Sequence, residues 1–130
     1  MTHGNLIHEA LTESVIGAFY GVYNVLDYGF LEHVYTSALE RELRSRGHSV
    51  AREVGVTVMY KGDELCSQRL DMVVDDRLVV EVKSSALLPP ATKRQLYGYL
   101  RATKIEVGLV LHFGPEPRFH RLILTNNRKK

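Results

Sequence analysis

Asp71, Glu81 and Lys83 stand inside or at the end of two apolar, β-branched runs, Leu70 to Val74 and Leu78 to Val82, where strands ordinarily carry Val or Ile. A buried carboxylate without a partner costs several kcal/mol or more, so these charges call for a cation, a paired ammonium or open water. The pattern is Asp, a gap of nine residues, then Glu-Xaa-Lys. Two carboxylates and a backbone carbonyl, naturally that of Val82, are the hard oxygen ligands that suit Mg2+ or Mn2+, with water and phosphate oxygens taking the remaining positions. Such an ion polarises a phosphate and activates water, and Lys83, on the same strand face as Glu81, could orient that water or offset charge developing on phosphorus. Alone, the same pattern also describes an ordinary solvated strand edge.

Whether the two acids can cooperate depends on the turn between their strands. A two-residue turn at Asp75-Asp76 sets Asp71 opposite Val80 and points it away from Glu81. A three-residue turn (Asp75, Asp76, Arg77) sets Asp71 opposite Glu81, with both carboxylates on one face. A shared ion site therefore predicts an odd-length turn or a bulge.

Two helices can carry further polar groups to this hairpin. Apolar residues at Leu31, Val34, Tyr35, Ala38, Leu39 and Leu43 predict a helix over about 30–46, ending at Gly47. Glu32 borders its apolar stripe, so it is read as a third acid for the same site, although a first-turn acid is also favoured by the helix dipole alone. Pro89-Pro90 introduces a second helix over about 91–103, with Leu96, Tyr99 and Leu100 inward and Gln95 one turn before Tyr99 on the same side. An earlier amphipathic helix over 6–26 has Asn5 as its expected N-cap. Its Gly17 and Gly21 predict a close approach by another element.

Strands are expected at 54–60, within the 68–83 hairpin, at 106–114 and at 119–124, giving the order α, α, β, β, β, α, β, β. Three adjacent strands form an antiparallel meander, and the crossover helix leads to a strand that can pair in parallel. The expected fold class is α/β, a mixed sheet flanked by helices.

At 130 residues the chain is expected to form one domain, residues 1–130, with 126–130 a frayed basic tail. Residues 1–65 carry 5 Lys/Arg against 9 Asp/Glu, and residues 66–130 carry 12 against 6, so the basic half holds the hairpin. That polarity permits nucleic-acid binding without requiring it. The single cysteine, Cys66, excludes an internal disulfide and reads as a structural thiol in a reducing cytoplasm. No run approaches the roughly 20 apolar residues of a membrane span. The six histidines lack the ligand spacing of a zinc hydrolase, and neither a phosphate-binding glycine loop nor a serine elbow is present.

Gly29-Phe30-Leu31-Glu32-His33-Val34-Tyr35 resembles the Gly-x-x-Glu-x-x-Tyr signature of the GxxExxY proteins, a group within the PD-(D/E)XK nuclease superfamily. Arg69-Leu70-Asp71, Val80-Glu81-Val82-Lys83, Gln95 to Leu100 and Gly108 to Gly114 follow in that group's order, so the resemblance spans about residues 12–124. It implies the restriction-endonuclease-like core. It also implies Asp71 and Glu81 as metal-binding acids, Lys83 as the catalytic lysine, Glu32 as a helix-borne acid, and Gln95 with Tyr99 as a pair that positions the site and substrate, with Tyr35 in support of Glu32. The chain departs from the group at Tyr23 and Thr92, where histidines are usual, and at His112, where asparagine is usual.

The expected activity is Mg2+- or Mn2+-dependent hydrolysis of phosphodiester bonds, in DNA or else RNA. The alternative from another class is a noncatalytic module that binds nucleic acid or self-assembles as a homo-oligomer.

Overall fold

In the computed structural model, which describes residues 7–129, the short turn after Val74 decides how the central strands align. The strands are β1 (Val50–Tyr60), β2 (Asp63–Val74), β3 (Leu78–Lys83), β4 (Val107–Phe113) and β5 (Pro117–Ile123), and the helices are α1 (Glu9–Leu26), α2 (Glu32–Ser45) and α3 (Thr92–Ala102). Sheet order follows chain order, β1 to β5, with β3 and β4 parallel and the other neighbours antiparallel. This is the mixed α/β sheet expected for a restriction-endonuclease-like core. Among the described residues no helix is long and apolar enough to cross a membrane.

Each face of the sheet has its own core. Leu78, Val80 and Val82 of β3 pack with α1 and α2, whose inward residues include Val15, Phe19, Tyr35 and Leu39. Val79 and Val110 face α3 through Leu96 and Leu100. Gly108 lets α3 settle onto β4, because a Cβ there would lie 2.8 Å from Leu96 Cδ1. On α1 the two glycines are indeed approached closely: Arg46, just past α2, brings Nη1 to 3.0 Å from a Cβ built at Gly17 and Nη2 to 3.5 Å from one at Gly21. Asn5, the expected cap of α1, lies outside the described residues, and the helix begins at Glu9 after His8.

Val74 pairs with Leu78, so Asp75, Asp76 and Arg77 form a three-residue turn. Asp75 and Asp76 adopt left-handed φ values of 52° and 56°, a conformation that Asp tolerates better than most residues. The Arg77 amide closes the turn on the Val74 carbonyl at 3.0 Å. Asp75 is also held from outside the hairpin. The Ser49 amide donates to its Oδ1 at 2.8 Å, and the His48 ring meets Oδ2 at 2.7 Å while its other nitrogen meets the Ser14 hydroxyl at 2.7 Å.

The order Ser14, His48, Asp75 has the form of a nucleophilic triad. Ser14, however, lies in the middle of α1, where the backbone amides are already bonded along the helix and cannot hold an oxyanion. The chain of bonds acts as a strut from α1 through the α2–β1 loop to the turn. Burial alone would raise the Asp75 carboxyl, but the bonds from His48 and Ser49 outweigh it and hold the group below its ordinary value. That contribution is present above the ordinary Asp pKa and is lost as pH falls through the lower folded value. His48→Ala is expected to cost about 1.5–3 kcal/mol of stability, the range for a hydrogen bond to a charged group, read as a lower urea midpoint with an unchanged m-value.

A second irregularity lies beside the first. Arg52 pairs with Met72 and Val54 with Leu70, which leaves Glu53 opposite Asp71, and Glu53 has φ 51°. On one side of this point Val50, Met72 and Val74 belong to the α1/α2 core. On the other, Leu70, Val54 and Val56 pack on the α3 side. Residues of the same parity thus change face at Glu53 and Asp71, because a left-handed residue rotates the pleat that follows it.

Beyond it β1 and β2 run on as an arm. Met59, Tyr60 and Leu65 are exposed on it, and so is Cys66, which is a surface thiol rather than a core one. At the other end of the chain, the tail expected to fray forms a 3-10 turn over Asn126–Arg128, and Lys129 donates to the carbonyls of Thr103 and Ile105 at 2.8 and 2.7 Å.

Candidate active site

The three-residue turn sets Asp71 across from Glu81, just beyond the paired residues Met72 and Val80. The Asp71 amide donates to Glu81 Oε1 at 3.3 Å, and the Val82 amide donates to Asp71 Oδ2 at 2.8 Å. Each acid is therefore oriented by the other's strand. Glu81 is only 6% exposed although it carries a carboxylate. Burial, then the nearby Asp71 charge, push its pKa up to about 8, and the Lys83 ammonium opposes this only weakly. A buried carboxyl facing a second, partly buried one suits a divalent cation, whose binding would favour the ionised form of Glu81.

Glu32 enters from the first turn of α2 and is half-buried. Its pKa is raised, chiefly by burial and further by Asp71, against the opposing effects of Lys83 and of a hydrogen bond from the Ser84 amide. Glu32 and Asp71 share a cleft of about 260 Å3 with His33, Thr36, Arg52 and Glu53. Lys83 ends β3 on the same face as Glu81 and acts electrostatically on both Glu32 and Glu81. Tyr99 comes from α3, and its phenol pKa is raised by burial and then by Glu81 and Asp71, so the ring borders the acid pair. Gln95 sits one turn earlier on α3 and is exposed; its backbone amide donates to the Ala91 carbonyl at 2.9 Å, and among the described residues its side-chain amide makes no hydrogen bond.

Tyr35 works behind the site. It is fully buried and stacks on Phe113 with centroids 4.3 Å apart. Its hydroxyl donates to the Asp27 carbonyl and accepts from the Phe30 amide at 3.3 Å. It thereby fixes the loop that leads into Glu32. Ser84 ties that loop to the end of β3, donating from Oγ to the Phe30 carbonyl at 2.6 Å. At the departures from the family pattern, Tyr23 donates to the carbonyls of Gly114 and Pro115 at 2.8 and 2.9 Å, and buried His112 meets the Ser85 carbonyl at 2.8 Å. Thr92 is buried, with an unpartnered hydroxyl.

Sequence reasoning does not single out Glu53 or Ser84. The one available signal for Glu53 is the charged pair Arg52-Glu53 just before the Val54-Val56-Val58 alternation, a position that reads as loop. Nothing local marks Ser84, whose role depends on a contact 54 residues away in sequence.

Compared with protein families, residues 9–122 match the PD-(D/E)XK nuclease superfamily. No curated protein gives a significant match. A solved structure titled "Crystal structure of SSO0001" is similar in fold, with a TM-score of 0.57 and 19% identity over 91% of this chain. The chain spans 60% of the length of that protein.

Proposed function

Because the chain belongs to the PD-(D/E)XK nuclease superfamily, we propose that it hydrolyses phosphodiester bonds of nucleic acid, DNA in preference to RNA, with Mg2+ or Mn2+ bound at Asp71 and Glu81. The observation that carries this reading is the facing pair Asp71 and Glu81, one of them almost wholly buried, at the end of the strand that bears Lys83. The donor set is all hard oxygen, to which Glu32 and the Val82 carbonyl would add. A bound ion would supply a Lewis acid that offsets phosphate charge and makes water more acidic.

The protein's own groups have separable tasks. Asp71 and Glu81 would hold the ion, each carboxylate oriented by a hydrogen bond from an amide of the other's strand. Glu32, across the cleft, orients water on the side of the phosphate away from the sheet. The Lys83 ammonium donates toward the attacking oxygen or a phosphate oxygen and stabilises charge as the phosphorus–oxygen bond to the leaving strand breaks. Tyr99 and Gln95 hold the substrate from the α3 side.

A second reading, a nuclease-fold module that binds nucleic acid without cutting it, is supported by one observation. Among the described residues no three His, Cys, Asp or Glu side chains are grouped closely enough to hold a metal. The two readings part in one assay: single- and double-stranded DNA and RNA incubated with Mg2+, Mn2+ or EDTA. Cleavage that needs the metal is expected. Retention of every substrate intact under all metals would leave the binding module as the better reading.

A further inference from the structure

The helix that brings Tyr99 to the acid pair has a second polar face of one charge. Helix α3 contains Lys93, Arg94 and Arg101 and no acid at all. Thr92, Leu96 and Leu100 are buried against the sheet, whereas Lys93, Arg94 and Arg101 are exposed.

Some arginines elsewhere meet carboxylates, although among the described residues Arg41, Arg69, Arg77 and Arg128 do not. Arg44 and Arg52 meet Glu40 at 3.1 and 2.9 Å, and Arg46 meets Glu42 at 2.9 Å. Among the described residues the three α3 cations have no carboxylate partner. Lys93 and Arg94 stand in the first turn of α3, where the helix dipole disfavours positive charge unless something anionic approaches. The field they make is felt nearby: His120 on β5 has its pKa lowered, first by burial and next by Lys93.

Shape agrees with charge. A shallow groove of about 410 Å3 runs between α3 and Leu122, and the three cations line it with Tyr97 and Gly98. The Arg101 guanidinium lies over the Tyr97 ring, 5.8 Å from its centroid. Gly98 and Arg101 also border a second groove of about 540 Å3, which reaches the β1–β2 arm at Gln68, three residues before Asp71. A Cβ at Gly98 would meet nothing within 4 Å, so the crest of the helix is open between the grooves.

We propose that this face of α3 is a backbone-tracking surface on which a nucleic-acid strand lies as it passes to the Asp71–Glu81 site. The cations hold phosphates, with the Arg101 guanidinium set in place over the Tyr97 ring. The span from Lys93 to Arg101 is about 12 Å of helix axis, over which one strand of a duplex carries about three to four phosphates. Such contacts carry charge rather than base recognition, so the surface binds any sequence. The inference rests on the nuclease reading for its substrate but is tested without catalysis.

The test is fluorescence anisotropy of a labelled DNA oligonucleotide in EDTA, where no cleavage occurs, from 50 to 200 mM salt. The combined Lys93→Ala, Arg94→Ala, Arg101→Ala chain is expected to bind at least tenfold more weakly, with the slope of log K against log salt reduced by about two to three. Tyr97→Ala, which frees the Arg101 guanidinium from the ring without changing the charge, is expected to weaken binding while leaving the slope unchanged. Equal affinity and slope in the triple variant overturn the surface, even if the wild-type chain proves to be a nuclease. A wild-type chain that binds through α3 in EDTA yet cuts nothing under any metal overturns the nuclease reading and leaves the surface standing. Equal competition by poly-glutamate at matched charge overturns the assignment to nucleic acid.

Discussion

Lys83→Ala should give a folded chain whose metal-dependent cleavage has fallen by roughly 10²–10³-fold, the cost of removing one donor that stabilises transition-state charge. Lys83 is the last residue of β3, and its side chain is partly exposed, so its loss opens no cavity in either core. Glu81→Gln should be equally inactive for a different reason, since the amide cannot supply the second negative charge at the ion. It should also move stability the opposite way: the glutamine side chain would keep an oxygen to accept from the Asp71 amide while removing a buried charge beside Asp71. Metal-free Glu81→Gln is therefore expected to melt above the wild type at pH 8 while failing to cut. A site kept at the expense of stability behaves in this way, whereas a purely structural carboxylate loses stability when neutralised. Melting curves and a cleavage assay on the same preparations decide it. Full activity in either variant removes the site from the reaction.

The pairing of Asp71 with Glu81 is legible in the sequence because strand geometry is a parity argument: only an odd turn puts both carboxylates on one face, and Asp75-Asp76 are residues that accept the left-handed backbone such a turn uses. The strand order is legible for a similar reason, since short turns force antiparallel neighbours and only the α3 crossover permits a parallel pair. The face change at Glu53 cannot be read in advance. Val54, Val56 and Val58 alternate as in any strand, and nothing in that alternation says that Val50 belongs to the opposite core. Cys66 misleads because a lone cysteine is among the most often buried residue types, yet β3 is only six residues long and leaves most of β2 without a neighbour on that side. Helical spacing puts Gln95 and Tyr99 on one flank of α3; Tyr99 borders the acids, and Gln95 stands exposed one turn earlier. The tail is held by Lys129 reaching the carbonyls of Thr103 and Ile105, a long-range contact that no local pattern announces.

The second large effect concerns pH in the absence of metal. Glu81 has its pKa raised from 4.5 to about 8 in the folded chain, so between these values the folded chain keeps a proton that the unfolded chain has released. Stability therefore falls as pH rises, by about 1.4 kcal/mol per pH unit, is highest from this group below the unfolded value, and has been fully lost above the folded one. The difference between the wild type and Glu81→Gln isolates this group from the other carboxylates. It should be small near pH 5 and widest near pH 8. Mg2+ requires the ionised acids, so it competes with that proton: its affinity should rise across the same window, with close to one proton released per ion bound near pH 7, and added Mg2+ should flatten the wild-type slope while leaving the variant unmoved. Denaturant titrations at several pH values, with and without Mg2+, measure both quantities. Parallel curves for the two chains would mean that Glu81 carries its charge without penalty in the empty site, and the argument that a cation belongs beside Asp71 would lose its physical basis.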